Sequence, residues 1–211
     1  MRVAYEHLVP FVPRLRNGGL RTLLNAGSGA STTRRLPECF REGPWREIRL
    51  DIDPAVKPDL LASVTSMKAV GNASVDAVWS SHNLEHLESH EVRIALKEIY
   101  RVLKPGGFTL ITLPDLAAIC KLILEGKART TIYTSPAGPI TPLDMLFGHR
   151  ASIARGNGYM AHRTGFTADD LLAHLIDAGF KDVRVTRGNA YDLWAVAVRS
   201  DQEPIQRQPH D

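Results

Sequence analysis

Short apolar runs alternate along the chain with segments in which apolar residues recur at helical spacing. The runs are rich in aliphatic and β-branched residues and are bounded by glycine, proline and polar turns, as strands are. Predicted strands cover residues 20–25, 47–53, 59–64, 74–81 and 108–113, with two more around 183–185 and 193–198. The last two are expected to pair as a hairpin.

Helices are predicted between the strands. In the clearest one, Ser89 is the expected cap, apolar residues recur every three or four positions, and a Pro-Gly-Gly segment after Lys104 ends the helix. The last helix begins with a capping box at Thr167 and ends at Gly179. Further helices are expected at 31–40, 114–124 and 142–147, and a short helix or turn within 1–19. Strands that alternate with helices indicate an α/β fold around a mainly parallel sheet.

The length of 211 residues suits one domain with a substantial core. Residues 1–199 are assigned to that domain, with an insertion at 125–165, and residues 200–211 are expected to form a disordered tail. The insertion is too long for a loop without secondary structure in a compact domain, so it should contain structure of its own.

The composition argues against several classes of protein. Every long apolar stretch is interrupted by polar residues or proline, so no membrane span is predicted. The first residues lack the basic start and unbroken apolar region of a secretory signal, and the chain has only two cysteines, which favours a cytoplasmic location. A net charge of +3 is too small to indicate nucleic-acid binding, although an arginine-rich stretch at 34–49 leaves an anionic partner open.

A strand, a glycine turn and the start of a helix meet at 21–31. Gly27 and Gly29 allow backbone conformations closed to other residues and let N–H groups approach a ligand, and the helix N-terminus behind them favours polar or anionic groups. The second strand leads to Asp51, at the distance from the glycine turn typical of a carboxylate that hydrogen-bonds ribose hydroxyls. Asp53 is the second candidate for this role, the reserve to Asp51. An ordinary polar turn is the alternative for this acidic segment. Together the two signals favour a nucleotide-cofactor site.

Several motifs occur in an order that gives the chain a family resemblance. They lie at residues 24–29, 50–53, 74–78, 84–86, 101–107 and 178–180. Over roughly residues 20–199 the chain resembles the class I S-adenosylmethionine-dependent methyltransferases. The resemblance implies a three-layer Rossmann-like α/β fold, with a mainly parallel seven-stranded sheet whose last strand is antiparallel. It also implies an enzyme that transfers a methyl group from S-adenosyl-L-methionine to a small-molecule or other polar acceptor.

The resemblance further implies which residues contact the cofactor. The glycine turn and the acid after the second strand would hold its polar groups, Val64 and Thr65 would border the adenine, and Ser81 and His82 would border the methionine portion. The cofactor-binding candidates are Asn25, Ala26, Gly27, Ser28, Gly29, Asp51, Ile52, Val64, Thr65 and Ser81.

Two positions depart from the family pattern. Asn25 stands where the family usually has Asp or Glu, and Ser31 stands where it usually has a third glycine. An Asn side chain can accept a hydrogen bond from the cofactor's ammonium group but lacks the charge that strengthens such bonds. Weaker cofactor binding is therefore expected, and a non-catalytic cofactor-binding module of the same fold is an alternative function.

His82, Glu85 and His86 allow two interpretations. An acceptor that carries a proton needs a base, for which His82, His86 and His162 are candidates, while Glu85 and His86 could instead hydrogen-bond the turn after the strand. The H-x-x-E-H spacing also matches inverted zinc peptidases, but that motif lies inside a helix, whereas here it directly follows a predicted strand. A methyltransferase without a resident metal is the preferred hypothesis, and a zinc peptidase is the remote one.

Basic residues cluster in the second half of the insertion, around Gly156 and Gly158. This composition suits a mobile lid that carries positive charge and closes over a bound acceptor. The predicted acceptor is polar or anionic, with His149, Arg150 and Arg163 as substrate-binding residues and His162 as a base from the lid side. A solvated basic loop is the alternative. Neither the acceptor nor the oligomeric state follows from the sequence.

Overall fold

The strands and helices follow the predicted alternation in a computed structural model that describes residues 19–30, 36–135 and 137–200. The strands are β1 (Arg21–Ala26), β2 (Trp45–Asp51), β3 (Leu60–Leu61), β4 (Val75–Ser81), β5 (Leu103–Pro114), β6 (Tyr133–Ser135), β7 (Gly138–Ile140), β8 (Asp182–Arg187) and β9 (Asp192–Val198). The helices are α1 (Glu38–Arg41), α2 (Ser89–Val102), α3 (Leu116–Leu124), α4 (Pro142–Phe147), α5 (Arg150–Ala154) and α6 (Ala168–Asp177).

Seven of the strands form one sheet in the order β3-β2-β1-β4-β5-β9-β8. Strand β9 runs antiparallel to both of its neighbours, and the other adjacent pairs are parallel. The prediction of a mainly parallel seven-stranded sheet with an antiparallel last strand is confirmed. The terminal strands β8 and β9 pair as the predicted hairpin.

The two faces of the sheet bury separate apolar clusters, because successive strand side chains point to opposite sides. On one face Leu24 and Val78 pack with buried residues of α2 and α6, including Leu96 and Leu171. On the other face an aromatic cluster joins Phe40 of α1 to strand residues that include Trp79, Phe108 and Trp194. The sheet is therefore the middle layer of the fold.

Several predicted boundaries were wrong. The residue before α2 is Glu88, whose N–H donates to the Glu91 carboxylate at 3.0 Å, so Ser89 is the first helical residue and not the cap. Residues 104–107, expected to end that helix, belong to β5. The third strand is only two residues long. Helix α3 is capped by Asp115, which accepts from the N–H of Ala117 at 3.0 Å, rather than opened by Pro114.

Some predictions concern residues outside those the structure describes. These are nearly all of the element expected within 1–19, the first half of the helix expected at 31–40 with Ser31, and the tail after residue 200. The rest of the 31–40 segment contains α1.

The insertion contains the structure that its length predicts. A two-stranded hairpin, β6–β7, is followed by α4, α5 and a 3₁₀ turn at Gly158–Met160. The predicted helix at 142–147 is confirmed, with Thr141 as its cap and Pro142 in its first turn. Its buried residues join a small separate cluster formed by Ile119 of α3, Ile140 of β7 and Met145 of α4.

Candidate active site

The strand order reverses at β1, because β2 and β4 lie on opposite sides of it. In open α/β sheets, a crevice forms at such a point beyond the carboxyl ends of the strands. Three of the predicted segments lie at these ends, namely the glycine turn after β1, Asp51 at the end of β2 and the His82 turn after β4. The topology thus brings together residues that are far apart in sequence.

The turn after β1 contains two glycines in the left-handed region, with φ of +70° at Gly27 and +58° at Gly29. The N–H groups of Gly27 and Ser28 donate to the carbonyl of Leu50 on β2, at 2.9 and 3.1 Å. A Cβ atom at Gly27 would lie 2.5 Å from Cγ of Asn83. Gly27 is therefore required by the chain itself, through its φ and through the contact with Asn83.

Asp51 fastens the glycine turn to the end of β2. Its Oδ2 accepts from the N–H of Gly29 at 2.8 Å, and its Oδ1 accepts from the N–H of Asp53 at 2.9 Å. Because each carboxylate oxygen has two lone pairs, the fixed group can still accept from ligand hydroxyls. Asp53, the reserve candidate, accepts from the N–H of Ala55 at 2.8 Å and caps a 3₁₀ turn.

A carboxylate lies beside Asn25 although the family's usual acid is missing there. Asn25 is 8% exposed, and its Nδ2 donates to Oε1 of Glu47 on β2 at 2.7 Å. Sequence reasoning missed Glu47. The contact follows from the register of β1 and β2, which sets Leu23 opposite Glu47 and Asn25 opposite Arg49.

The other predicted cofactor residues differ in what they offer. The side chains of Ala26 and Val64 are buried in the apolar core, at 0% and 5% exposure. Ile52 is 53% exposed directly after Asp51. The Thr65 hydroxyl is hydrogen-bonded within its own turn, and Ser81 ends β4. An exposed apolar side chain beside Asp51 suits contact with a planar base better than a buried one does.

Glu85 lies at the centre of the turn after β4 and is 1% exposed. Its backbone carbonyl accepts from the N–H groups of Arg163 and Thr164, at 2.8 and 3.2 Å. Its Oε1 accepts from Nδ1 of His82 at 3.2 Å. Its Oε2 is buried and has no hydrogen-bond partner among the residues that the structure describes.

The charges around Glu85 shift its pKa and those of its neighbours. Burial favours the neutral acid, but the hydrogen bond with His82 and the nearby histidine charges hold the pKa of Glu85 below its usual value. At His82, desolvation opposes the hydrogen bond and the charge of Glu85, but it is only partial because the side chain is 46% exposed, so the pKa of His82 is raised. Burial lowers the pKa of His162.

His86 and His162 lie edge to face, with ring centroids 4.8 Å apart. Nδ1 of His86 is 3.0 Å from the carbonyl of Ala161, and Nδ1 of His162 is 2.8 Å from the carbonyl of Met145. A carbonyl only accepts, so each neutral ring carries its proton on Nδ1 and a lone pair on Nε2. The insertion thus places a histidine beside the turn after β4, a pairing that the sequence alone did not show.

The zinc-peptidase hypothesis needs His82, Glu85 and His86 in one helix. Strand β4 ends at Ser81, His82 has a φ of +49°, and Leu84–His86 form a 3₁₀ turn. The two histidines are therefore not one α-helical turn apart on a common face. The residues that come together are Glu85, His86 and His162, with one potential ligand atom from each within 4.8 Å of the others.

Two of the predicted substrate-binding residues have structural partners inside the insertion. Nε of Arg150 is 2.9 Å from Oδ1 of Asp144. Nδ1 of His149 is 2.7 Å from the Ser152 hydroxyl, at the start of α5. Both contacts stabilise the fold of the insertion.

Arg163 has a different setting. Its Nη1 donates to Oε1 of Glu88 at 2.7 Å, and both side chains are about half exposed, at 52% and 47%. Its backbone is tied to the carbonyl of Glu85. A ligand anion next to this turn could therefore exchange with Glu88 at low cost, because exposed ion pairs are weak.

Comparison with known proteins gives one family match. Residues 24–111 match the family described as "Methyltransferase domain". The match covers the glycine turn, the acid after β2 and the turn after β4. No curated protein matches the chain in sequence.

Solved structures share the fold over nearly the whole chain. A SAM-dependent methyltransferase from Archaeoglobus fulgidus aligns with 92% of this chain and 91% of its own, at 16% identity and a TM-score of 0.55. Burkholderia thailandensis 1,6-didemethyltoxoflavin-N1-methyltransferase, solved with its namesake compound and S-adenosylhomocysteine, aligns with 94% of this chain and 76% of its own, at 17% identity and a TM-score of 0.53. A citrinin polyketide synthase CMeT domain aligns with 94% of this chain at 18% identity and a TM-score of 0.59, and this chain spans 51% of that one.

Among the described residues, no helix has both the length and the apolar character needed to cross a bilayer.

Proposed function

We propose that the chain is a class I S-adenosylmethionine-dependent methyltransferase and that it transfers a methyl group from that cofactor to a polar or anionic acceptor beside the carboxyl end of β4. The observation that carries the proposal is the glycine turn after β1, which is fastened by its Gly29 N–H to the Asp51 carboxylate. When bound, the cofactor supplies an electrophilic methyl group that an in-line nucleophile displaces.

The residues of the crevice fit this cofactor. Asp51 is fixed with lone pairs still available for two ribose hydroxyls. Asn25 and Glu47 together offer an amide oxygen and a carboxylate near the position where the family uses an acid for the ammonium group. Ile52 is exposed beside Asp51 for the base. The carboxylate of Glu47 supplies the negative charge that Asn25 lacks. This favours cofactor binding, whereas Asn25 taken alone predicts weaker binding.

His82 is the best placed of the three candidate bases. Its Nδ1 donates to the buried Glu85 carboxylate, which fixes the ring and leaves Nε2 with a lone pair. The side chain is 46% exposed, so an acceptor can approach it. It also neighbours Asn83, which contacts the glycine turn. His86 and His162 are turned toward each other and are more enclosed.

Asp51→Ala is expected to weaken S-adenosylhomocysteine binding at least about tenfold, because it removes charged hydrogen bonds of about 1.5–3 kcal/mol each. Isothermal calorimetry on the folded variant measures this. Asp53→Ala is the matched control, since it lies two residues further and caps only the 3₁₀ turn. A loss confined to Asp53→Ala would move the ribose role to Asp53, and unchanged affinity in both variants would contradict the proposed cofactor site.

Arg163 is proposed to hold the acceptor's charge. With methyl-labelled cofactor and a panel of carboxylates, phenols and phosphate esters, Arg163→Ala should raise the KM for a turned-over acceptor about tenfold or more. Arg155→Ala, an exposed arginine of the same insertion, should leave KM unchanged. Equal KM values for the two variants would remove Arg163 from the acceptor site. Cofactor binding without transfer to any acceptor would favour the non-catalytic module.

A further inference from the structure

We propose that Glu85, His86 and His162 bind one divalent transition-metal ion beside the carboxyl end of β4. One potential ligand atom from each of the three residues lies within 4.8 Å of the others. Ligand atoms around zinc at bond lengths of about 2.0–2.2 Å are roughly 3.5 Å apart. Side-chain rotations that move these atoms by about 1 Å would therefore bring them to the spacing of ligands around one ion.

The two histidines are already oriented as metal ligands are. The ligating nitrogen of a histidine must be free of its proton, and the other nitrogen is usually held by a carbonyl or carboxylate. Nδ1 of His86 is fixed by the Ala161 carbonyl and Nδ1 of His162 by the Met145 carbonyl. Both rings thus keep a lone pair on Nε2.

The carboxylate provides an independent observation that a ligand is missing from its surroundings. Glu85 is 1% exposed, and its Oε2 has no hydrogen-bond partner within the described part of the chain, while Oε1 is occupied by His82. Leaving a buried carboxylate oxygen unpaired is costly. A cavity of about 10 Å³, lined by Glu85, His162, Thr164 and mostly apolar residues, lies beside this side chain and has room for about one ion or water.

The donor set selects the class of metal. Calcium and magnesium prefer all-oxygen sites, whereas two imidazoles and one carboxylate suit zinc, iron or cobalt. Three protein ligands leave at least one coordination position open, as in catalytic zinc sites. A single water bound to Oε2 is the rival occupant of the cavity.

If the proposed methyl transfer holds, on which this role rests, the open position would receive an oxygen or nitrogen of the acceptor and lower its pKa. His82 then remains the proton acceptor, because its Nδ1 contacts Oε1 and leaves Oε2 for the metal. Metal binding itself does not depend on that role.

The test uses the full chain without an affinity tag, stripped with a chelator. Titration with Co²⁺ should give one saturable equivalent with visible d–d absorption, and calorimetry with Zn²⁺ should give one site with a Kd in the micromolar range or tighter. His162→Ala and Glu85→Gln should each weaken binding at least about 100-fold. His90→Ala, an exposed histidine on α2, should bind as the parent does.

Thermal melts in chelator establish that each variant folds, and Glu85→Gln keeps an acceptor for His82 where an alanine would not. Binding weaker than millimolar, or equal binding by His162→Ala and His90→Ala, would overturn the site and leave a bound water as the occupant. S-adenosylhomocysteine calorimetry on the same samples separates the two proposals. Cofactor binding without metal binding would refute only the metal site, and the reverse would refute only the cofactor site.

Discussion

Asn25 and Glu47 are joined by a hydrogen bond of 2.7 Å at the base of the glycine turn. Asn25→Asp, which introduces the family's usual residue, would set two carboxylates at that separation, where both cannot ionise without cost. We expect this substitution to lower the free energy of unfolding at pH 7 by about 1–3 kcal/mol. Urea denaturation at pH 7 measures the loss.

The double variant Asn25→Asp with Glu47→Gln is the matched control, because it restores one amide and one carboxylate. It should recover most of the lost stability. If the single and double variants are equally stable, the two side chains separate and the contact contributes little.

Asp144 makes the stability of the insertion depend on acid pH. Burial alone would raise its pKa, but hydrogen bonds from Arg150 and Thr141 lower the pKa of Asp144 from 3.8 to about 2. A lowered carboxyl pKa stabilises the fold above the unfolded value and loses that stability as pH falls from about 4 toward 2. Because Arg150 is 42% exposed, solvent screening limits the effect to on the order of 1 kcal/mol.

Denaturation at pH 6 and pH 3 should therefore show a smaller pH-dependent loss for Asp144→Asn than for the parent. Asp182→Asn serves as the comparison, since Asp182 is 67% exposed and its nearest arginine atom is 3.9 Å away. A parent and an Asp144→Asn variant with the same pH dependence would contradict the lowered pKa.

At the residue scale, the sequence locates a site residue when the position of that residue depends on its near neighbours in the chain. Asp51 and the glycine turn were located in this way, and their places at adjacent strand ends follow from the fold. Glu47 was missed because its contact with Asn25 depends on the register of β1 and β2. The surroundings of Glu85 were missed because they depend on the insertion, whose Arg163 and Thr164 contact the Glu85 carbonyl. The function of each remains a prediction.

Gly148 fixes the path of the insertion between α4 and α5. Its φ is +89°, and a Cβ atom there would lie 1.8 Å from the carbonyl oxygen of Met160. An isolated antiparallel β-bridge pairs Gly148 with Ala161, next to His162. Gly148→Ala should lower the unfolding free energy by about 2 kcal/mol or more, since overlap with backbone adds to the left-handed strain.

Substitutions at two other glycines of the insertion distinguish backbone overlap from left-handed strain, with stability measured by thermal or urea denaturation. Gly156→Ala carries the left-handed strain alone, with a φ of +95° and nothing within 4 Å, and should cost about 1 kcal/mol. Gly158→Ala has neither feature and should be neutral. If Gly148→Ala costs no more than Gly156→Ala, the turn opens without difficulty.

At the element scale, periodicity located most of the helices and strands but misplaced some of their ends. The Pro-Gly-Gly segment after Lys104 is typical of a helix end, yet residues 104–107 lie in β5, where the register with β4 shifts between Val75 and Ala77. Long-range pairing outweighed the local signal there. The last helix, whose cap at Thr167 is local, was predicted within one residue.

At the scale of the whole molecule, the sheet was predictable because alternation of strands and helices admits few topologies. The antiparallel β9 came from the family resemblance and from the predicted terminal hairpin. The packing of the insertion against the turn after β4 came from neither. Its contacts, such as Arg163 to the Glu85 carbonyl, join segments with no common motif.

Strand β9 occupies an inner place in the sheet, between β5 and β8, although it is the last described strand to leave the ribosome. Until residues 192–198 have emerged, the nascent chain presents β5 as an unpaired edge that carries Leu110 and Ile111, both fully buried in the finished protein. Exposed apolar edges recruit other chains. We therefore expect the unfinished chain to be prone to aggregation until β9 has been translated.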